Sequence, residues 1–220
     1  VTLAQTLDIL AAQADLERVL EGPADERIQS LVAPFTHPEG LFFPDTYHYE
    51  RNTTDLELLQ RANQKMLSVL DEEWQGRAEE LPYETPYQAL IMASIIERET
   101  GLPEERQEIA GVFVRRMSRG MRLQTDPTVI YGIGAEFDGN LRRAHLADEN
   151  NAYNTYRIDG LPPTPIALPG RAAIHAALHP AEGATLFFVA RGDGGHVFST
   201  TLREHEAAVR KYQLRRRENY

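Results

Sequence analysis

The sequence predicts an α+β fold: a mainly helical framework in which short antiparallel strands and hairpins form a groove, preceded by a small N-terminal helical piece. Three observations predict it. Helix-start signals, a threonine followed three residues later by glutamine or glutamate, recur at Thr2, Thr54, Thr85 and Thr201. The run Leu90-Ile91-Met92-Ala93-Ser94-Ile95-Ile96 is apolar on every helical face and therefore belongs at the centre of a core. A glycine-rich turn, Gly192 to Gly195, separates two short β-forming runs near the end. With 220 residues, 42% hydrophobic and 25% charged, the chain has the make-up of one folded domain with room for a small appendage.

In chain order, Thr2 caps a helix whose apolar positions are Leu3, Leu7, Leu10 and Ala11. A second apolar set, Leu16, Val19 and Leu20, predicts another helix stopped by Glu21-Gly22-Pro23, and a brief one follows over 24–31. Residues 39–49 mix aromatics with turn formers and predict a short strand broken at Pro44-Asp45. Thr54 opens a long helix with an inward stripe of Leu59, Ala62, Met66, Leu70 and Trp74. Thr85 with Pro86 and Gln88 opens the central helix, and Pro103 to Met117 forms an amphipathic one ended by Gly120. Beyond it, Gln124 to Thr128 is turn chemistry leading into Val129-Ile130-Tyr131, and Tyr153 to Ile158 reads as a strand. Leu161 to Gly170 holds four prolines, a loop of the kind that lines a site. A hairpin pairs residues 186–190 with 196–200, and Thr201 with Glu204 starts the last helix.

Several function classes are excluded. Thirty-three acidic against 23 basic residues give a net charge of -10, which repels nucleic acid. The basic cluster Arg210-Lys211 and Arg215-Arg216-Arg217 reads as a solvated helix face. The lack of cysteine removes disulfide frameworks, zinc ribbons and thiol nucleophiles. No apolar run reaches membrane-spanning length, and no charged-then-apolar leader opens the chain. Ser94, Ser118 and Ser199 lack a nucleophile-elbow context, and Gly192 to Gly195 is a turn, not a phosphate loop.

The strongest chemical signal is a pair of carboxylates, Glu97 and Glu99, on the last turn of the all-apolar helix. A helix C-terminus carries partial negative charge and burial disfavours an ionised carboxylate, so an acid held there can keep its proton near neutrality. Cleavage of a glycosidic bond needs such an acid, because the leaving oxygen must be protonated. Residues two apart project to opposite sides, so at most one of the pair faces a given cleft. The alternative is that both simply pair with Arg98, Arg106 or solvent. His175 and His179, four apart on a predicted helix, have metal-ligand spacing, but no glutamate follows His175, and packing or surface roles are the simpler reading.

Four stretches together resemble the MltG-type endolytic murein transglycosylases, the YceG-like family: EGLFFPDTYHY (39–49), ASIIERETG (93–101), GMRLQTDPTVIYG (120–132) and YNTYRIDGLPPTPIALPG (153–170), with GGHVFST (194–200) extending the match. The resemblance implies an enzyme that cuts within peptidoglycan strands between N-acetylmuramic acid and N-acetylglucosamine and leaves a 1,6-anhydro end, without a cofactor. It assigns the catalytic acid to Glu97 and leaves Glu99 a supporting role. Gln124, Asp126, Thr128, Asn154, Tyr156 and His196 are then expected to contact sugar, with Tyr131 or Tyr153 stacking on a ring. A hydrolytic muramidase and a non-enzymatic peptidoglycan-binding module are the alternatives. Family members are expected to carry an N-terminal inner-membrane helix and a LysM-like region, so residues 1–35 are expected to be the tail of that region and 36–220 the catalytic domain. Such a protein would sit in the inner membrane facing the periplasm, near peptidoglycan synthases.

Overall fold

A computed structural model describes residues 1–214. At its centre lies α4 (Pro86–Glu99), in which eight successive residues from Ala89 to Ile96 are buried. Thr85 caps it, its hydroxyl accepting from the Gln88 N–H, and Pro86 supplies a preset first-turn φ. Burying each of Leu90, Met92, Ile95 and Ile96, which are 0% exposed, contributes about 1.5–3 kcal/mol. Around α4 pack α3 (Asp55–Gln75), α5 (Arg106–Ser118), α6 (Asp126–Ile133) and α8 (Arg171–Leu178).

The N-terminal helices α1 (Leu3–Ala11) and α2 (Glu26–Leu31) place Leu3 and Ile28 in the same core, so residues 1–35 pack as part of one body with the rest. Short α7 (Arg143–Ala147) lies between α6 and the proline-rich loop. That loop is pinned to α4 by Ser94, whose hydroxyl donates to the Ile91 carbonyl and accepts the Ile166 N–H at 2.9 Å. The hairpin β1 (Phe187–Ala190) and β2 (His196–Ser199) pairs Phe187 with Ser199 and Ala190 with His196, antiparallel. Helix α9 (Leu202–Val209), capped by Thr201, covers it. Arg210 and Lys211 continue from α9 in a π-helical turn, whereas Arg215 to Arg217 lie outside the described residues.

Four segments depart from the sequence reading, three of them because side chains or a neighbouring helix take up their backbone groups. Residues 16–20 are not helical, because Glu17 bridges Thr54 and the Asp55 carboxylate accepts the N–H groups of Val19 and Leu20. Residues 39–49 form no strand: Phe43 donates its N–H to the Ala62 carbonyl of α3, and Asn63 donates to the Leu41 carbonyl. Residues 153–158 are turns, built by Asn151 and Asn154 side chains accepting the N–H groups of Tyr153 and Tyr156. The expected turn over 124–131 is helix from Asp126, since Asp-Pro suits a helix start as well as a turn.

Candidate active site

The last residue of α4 is Glu99, and its half-buried carboxyl lies against the start of α6, where the Thr125 hydroxyl donates to Oε1. Burial, with a smaller contribution from the Asp126 charge, pushes this carboxyl up to about 7, against the opposing pull of the Thr125 bond. Glu99 faces a cleft of about 420 Å³ walled by Arg116 of α5, Gln124, Asp126, Tyr156, the hairpin residues Phe187 and His196, and Leu202 of α9. Cavities of this size suit small organic ligands.

The wall opposite the hairpin is held by a knot of hydroxyls. Thr155, 0% exposed, accepts the Thr125 N–H at 3.0 Å, and its hydroxyl lies 2.9 Å from that of Thr128. The same residue's carbonyl accepts the Gln124 N–H. Gln124 itself sits at φ +54°, a left-handed conformation unfavourable for a side-chain-bearing residue, and a strained backbone of this kind is common where a side chain must be aimed at a site. Its Oε1 accepts from Arg116 Nη2 at 2.6 Å. Arg116, 6% exposed, also donates to the carbonyls of Arg122 and Leu186 and lies over the Phe187 ring. Burial lowers its pKa from the ordinary guanidinium value.

Tyr156 donates to Asp126 Oδ1 at 2.6 Å; burial and the adjacent carboxylates of Asp126 and Glu99 hold the phenol well above its ordinary range, so it stays a donor. Glu105, in the turn that leads into α5, accepts both the backbone N–H and Nδ1 of the hairpin residue His196, at 2.9 and 2.7 Å, and thereby orients the imidazole.

The cleft therefore brings together Glu99, Gln124, Asp126, Tyr156 and His196. It does not include Glu97. The Glu97 carboxylate accepts the N–H of Gly170, the residue that precedes α8, at 3.1 Å, and so satisfies one of that helix's free N-terminal donors. Thr128 and Asn154, expected to contact sugar, are each 0% exposed and spend their polar atoms inside the fold. Thr128 donates to the Thr125 carbonyl, while Asn154 donates to the carbonyls of His145, Leu146 and Asp148. Tyr131 and Tyr153 stand edge to face at 4.9 Å and line a separate cavity of about 890 Å³, where Tyr131 donates to buried Glu39. His175 and His179 line neither cavity. Arg116 is the cleft residue that sequence reasoning missed; on an amphipathic helix an arginine reads as solvated.

A protein with a half-buried acid at the end of a central helix, facing a cleft of mixed polar and apolar lining, is placed more narrowly by comparison with known proteins. Residues 1–211 match the profile of the YceG-like family, and the chain belongs to that family. It is 39% identical over 177 residues to an endolytic murein transglycosylase of Bacillus subtilis (strain 168), covering 80% of this chain and 48% of the relative. It is 30% identical over 181 residues to an endolytic murein transglycosylase of Streptococcus pneumoniae serotype 2, covering 79% of this chain and 32% of that one. The chain thus spans about half the length of the first relative and a third of the second. The crystal structure of a yceG-like protein from Listeria monocytogenes superposes with a TM-score of 0.77 at 29% identity, covering 94% of this chain and 73% of the other.

Proposed function

We propose that this chain is the catalytic part of an endolytic murein transglycosylase and that Glu99, rather than Glu97, is its acid and base. The observation that carries this reading is the Glu99 carboxyl, half-buried in the cleft lining and pushed up to about 7, where a protonated form is available at neutral pH. In the first step Glu99 gives its proton to the glycosidic oxygen as the C1–O bond breaks. In the second, the resulting carboxylate takes the proton from the C6 hydroxyl of the same muramyl residue as O6 bonds to C1. The nucleophile is intramolecular, so neither water nor a second catalytic carboxylate is needed. The Thr125 hydroxyl steadies the carboxylate between the two steps.

Gln124, Asp126, Tyr156 and His196 are proposed to hold the glycan, with Arg116 setting the Gln124 amide from behind. The Asp126 carboxylate favours positive charge developing on the sugar ring and, by the same field, keeps Glu99 protonated. Glu97 is proposed to be structural, a cap for α8. We propose also that the parent protein meets murein outside the cytoplasm, held at the inner membrane by a segment preceding residue 1 and close to peptidoglycan synthases. Among the described residues no helix is long and apolar enough to cross a membrane.

The test is mass spectrometry of products from a defined uncrosslinked glycan. Internal 1,6-anhydro ends with the unaltered protein, and their loss in Glu99→Gln but not Glu97→Gln, are expected. Free reducing ends would make the enzyme a muramidase, and retention of glycan without cleavage would make it a binder.

A further inference from the structure

The histidine pair that the sequence leaves without a third ligand acquires one in the fold. Glu73, in the last turn of α3, places Oε2 at 2.8 Å from Nδ1 of His175, and the His175 and His179 rings stack with centroids 4.2 Å apart. One ligating atom from each of the three residues lies within 4.8 Å of the others, and among the described residues this is the group of that composition. Ligand atoms about 2.0–2.1 Å from a tetrahedral zinc ion lie roughly 3.3 Å apart, so small side-chain rotations bring the three onto one ion.

The surroundings favour a cation. The C-terminal ends of α3 and α8 meet there, Ala78 just past α3 donating to the Leu178 carbonyl at 3.0 Å, so two partial negative charges point at the cluster. The last turn of α3 carries no basic residue. Arg171 opposes this, but it pairs with Glu72 and with Oε1 of Glu73, which fixes that carboxylate and leaves Oε2 directed at the histidines. The three groups differ in access: the Glu73 side chain is 11% exposed and His175 48%, so a fourth position is open to water on the His175 side.

We propose that Glu73, His175 and His179 form a zinc site, with water as fourth ligand, that ties the end of α3 to the end of α8. Two imidazoles, one carboxylate and an open position are a zinc-type donor set, whereas calcium and magnesium prefer oxygen ligands throughout. The site is separate from the Glu99 cleft and its test involves no glycan, so it stands or falls independently of the proposed activity.

The experiment is calorimetric titration of Zn²⁺ into untagged, chelator-treated protein at pH 7.5, with zinc-edge X-ray absorption on the loaded sample. Expected are one equivalent bound, two imidazole nitrogens in the absorption spectrum, and affinity at least tenfold weaker in His175→Ala and in Glu73→Gln. Thermal unfolding should shift upward with zinc in the unaltered protein alone, and Mg²⁺ and Ca²⁺ should give no saturable heat. His175 is exposed enough that its alanine variant should fold, and circular dichroism checks this. Lack of one-to-one binding, or binding that both variants retain unchanged, would overturn the proposal.

Discussion

Replacing Glu99 by glutamine keeps the shape of the side chain and its bond to Thr125 while removing the titrating proton. In the folded protein the carboxyl titrates at about 7, against an ordinary value of 4.5. At about 1.36 kcal/mol per pKa unit, that displacement corresponds to roughly 3 kcal/mol. The sign follows from proton counting: between these two values the folded chain holds a proton that the unfolded chain has released, so this contribution to stability is complete below pH 4.5 and lost as the pH rises through 7. The glutamine variant has no such dependence. Its stability relative to the unaltered protein should therefore rise by about 3 kcal/mol between pH 4 and pH 8. Urea unfolding of both proteins at several pH values measures this difference, because all other titrating groups cancel. The same variant should lose at least about 100-fold in turnover, the usual range for removing a general acid. A stability difference that does not change with pH, or a glutamine variant that still cleaves glycan, would refute the assignment of the proton to Glu99.

Three further outcomes are expected. Glu97→Ala should cost about 1 kcal/mol in urea unfolding through the lost contact with the Gly170 N–H, and should leave cleavage within a few-fold of normal. Thr155→Val strands the buried Thr125 N–H and should cost about 1–3 kcal/mol while raising KM through the loosened Gln124 to Asp126 wall; unfolding and steady-state assays read the two effects separately. Gly111→Ala would set a methyl group 2.4 Å from the Ala181 carbonyl oxygen, a backbone atom, and should lower stability by about 1–3 kcal/mol in thermal unfolding.

Local signals made most helices legible before the fold was known. The threonine caps at Thr2, Thr54, Thr85 and Thr201 all form with their partners three residues on, because such bonds depend only on the residues that make them. The hairpin was legible for the same reason. Residues 16–20 and 39–49 were not, because their backbone groups are satisfied by Asp55, Asn63 and a carbonyl of α3, partners that no nearby pattern announces. At the site, apolar residues all around α4 erase the phase that would say which side of its last turn faces a cleft. Periodicity therefore left Glu97 and Glu99 undecided, and the resemblance placed the acid on Glu97; the packing of α4 turns Glu99 to the cleft. Thr128 and Asn154 have the chemistry of sugar ligands, but a hydroxyl or amide serves a backbone carbonyl equally well.

Because Glu99 ends a helix in which eight successive residues are buried, its position is inherited from a segment expected to resist opening. Amides of α4 should exchange with deuterium only at the rate of whole-molecule unfolding, while the hairpin and α9 open more readily. Moderate warming would then disturb how the glycan is gripped well before it displaces the acid, and thermal inactivation should begin as a loss of affinity.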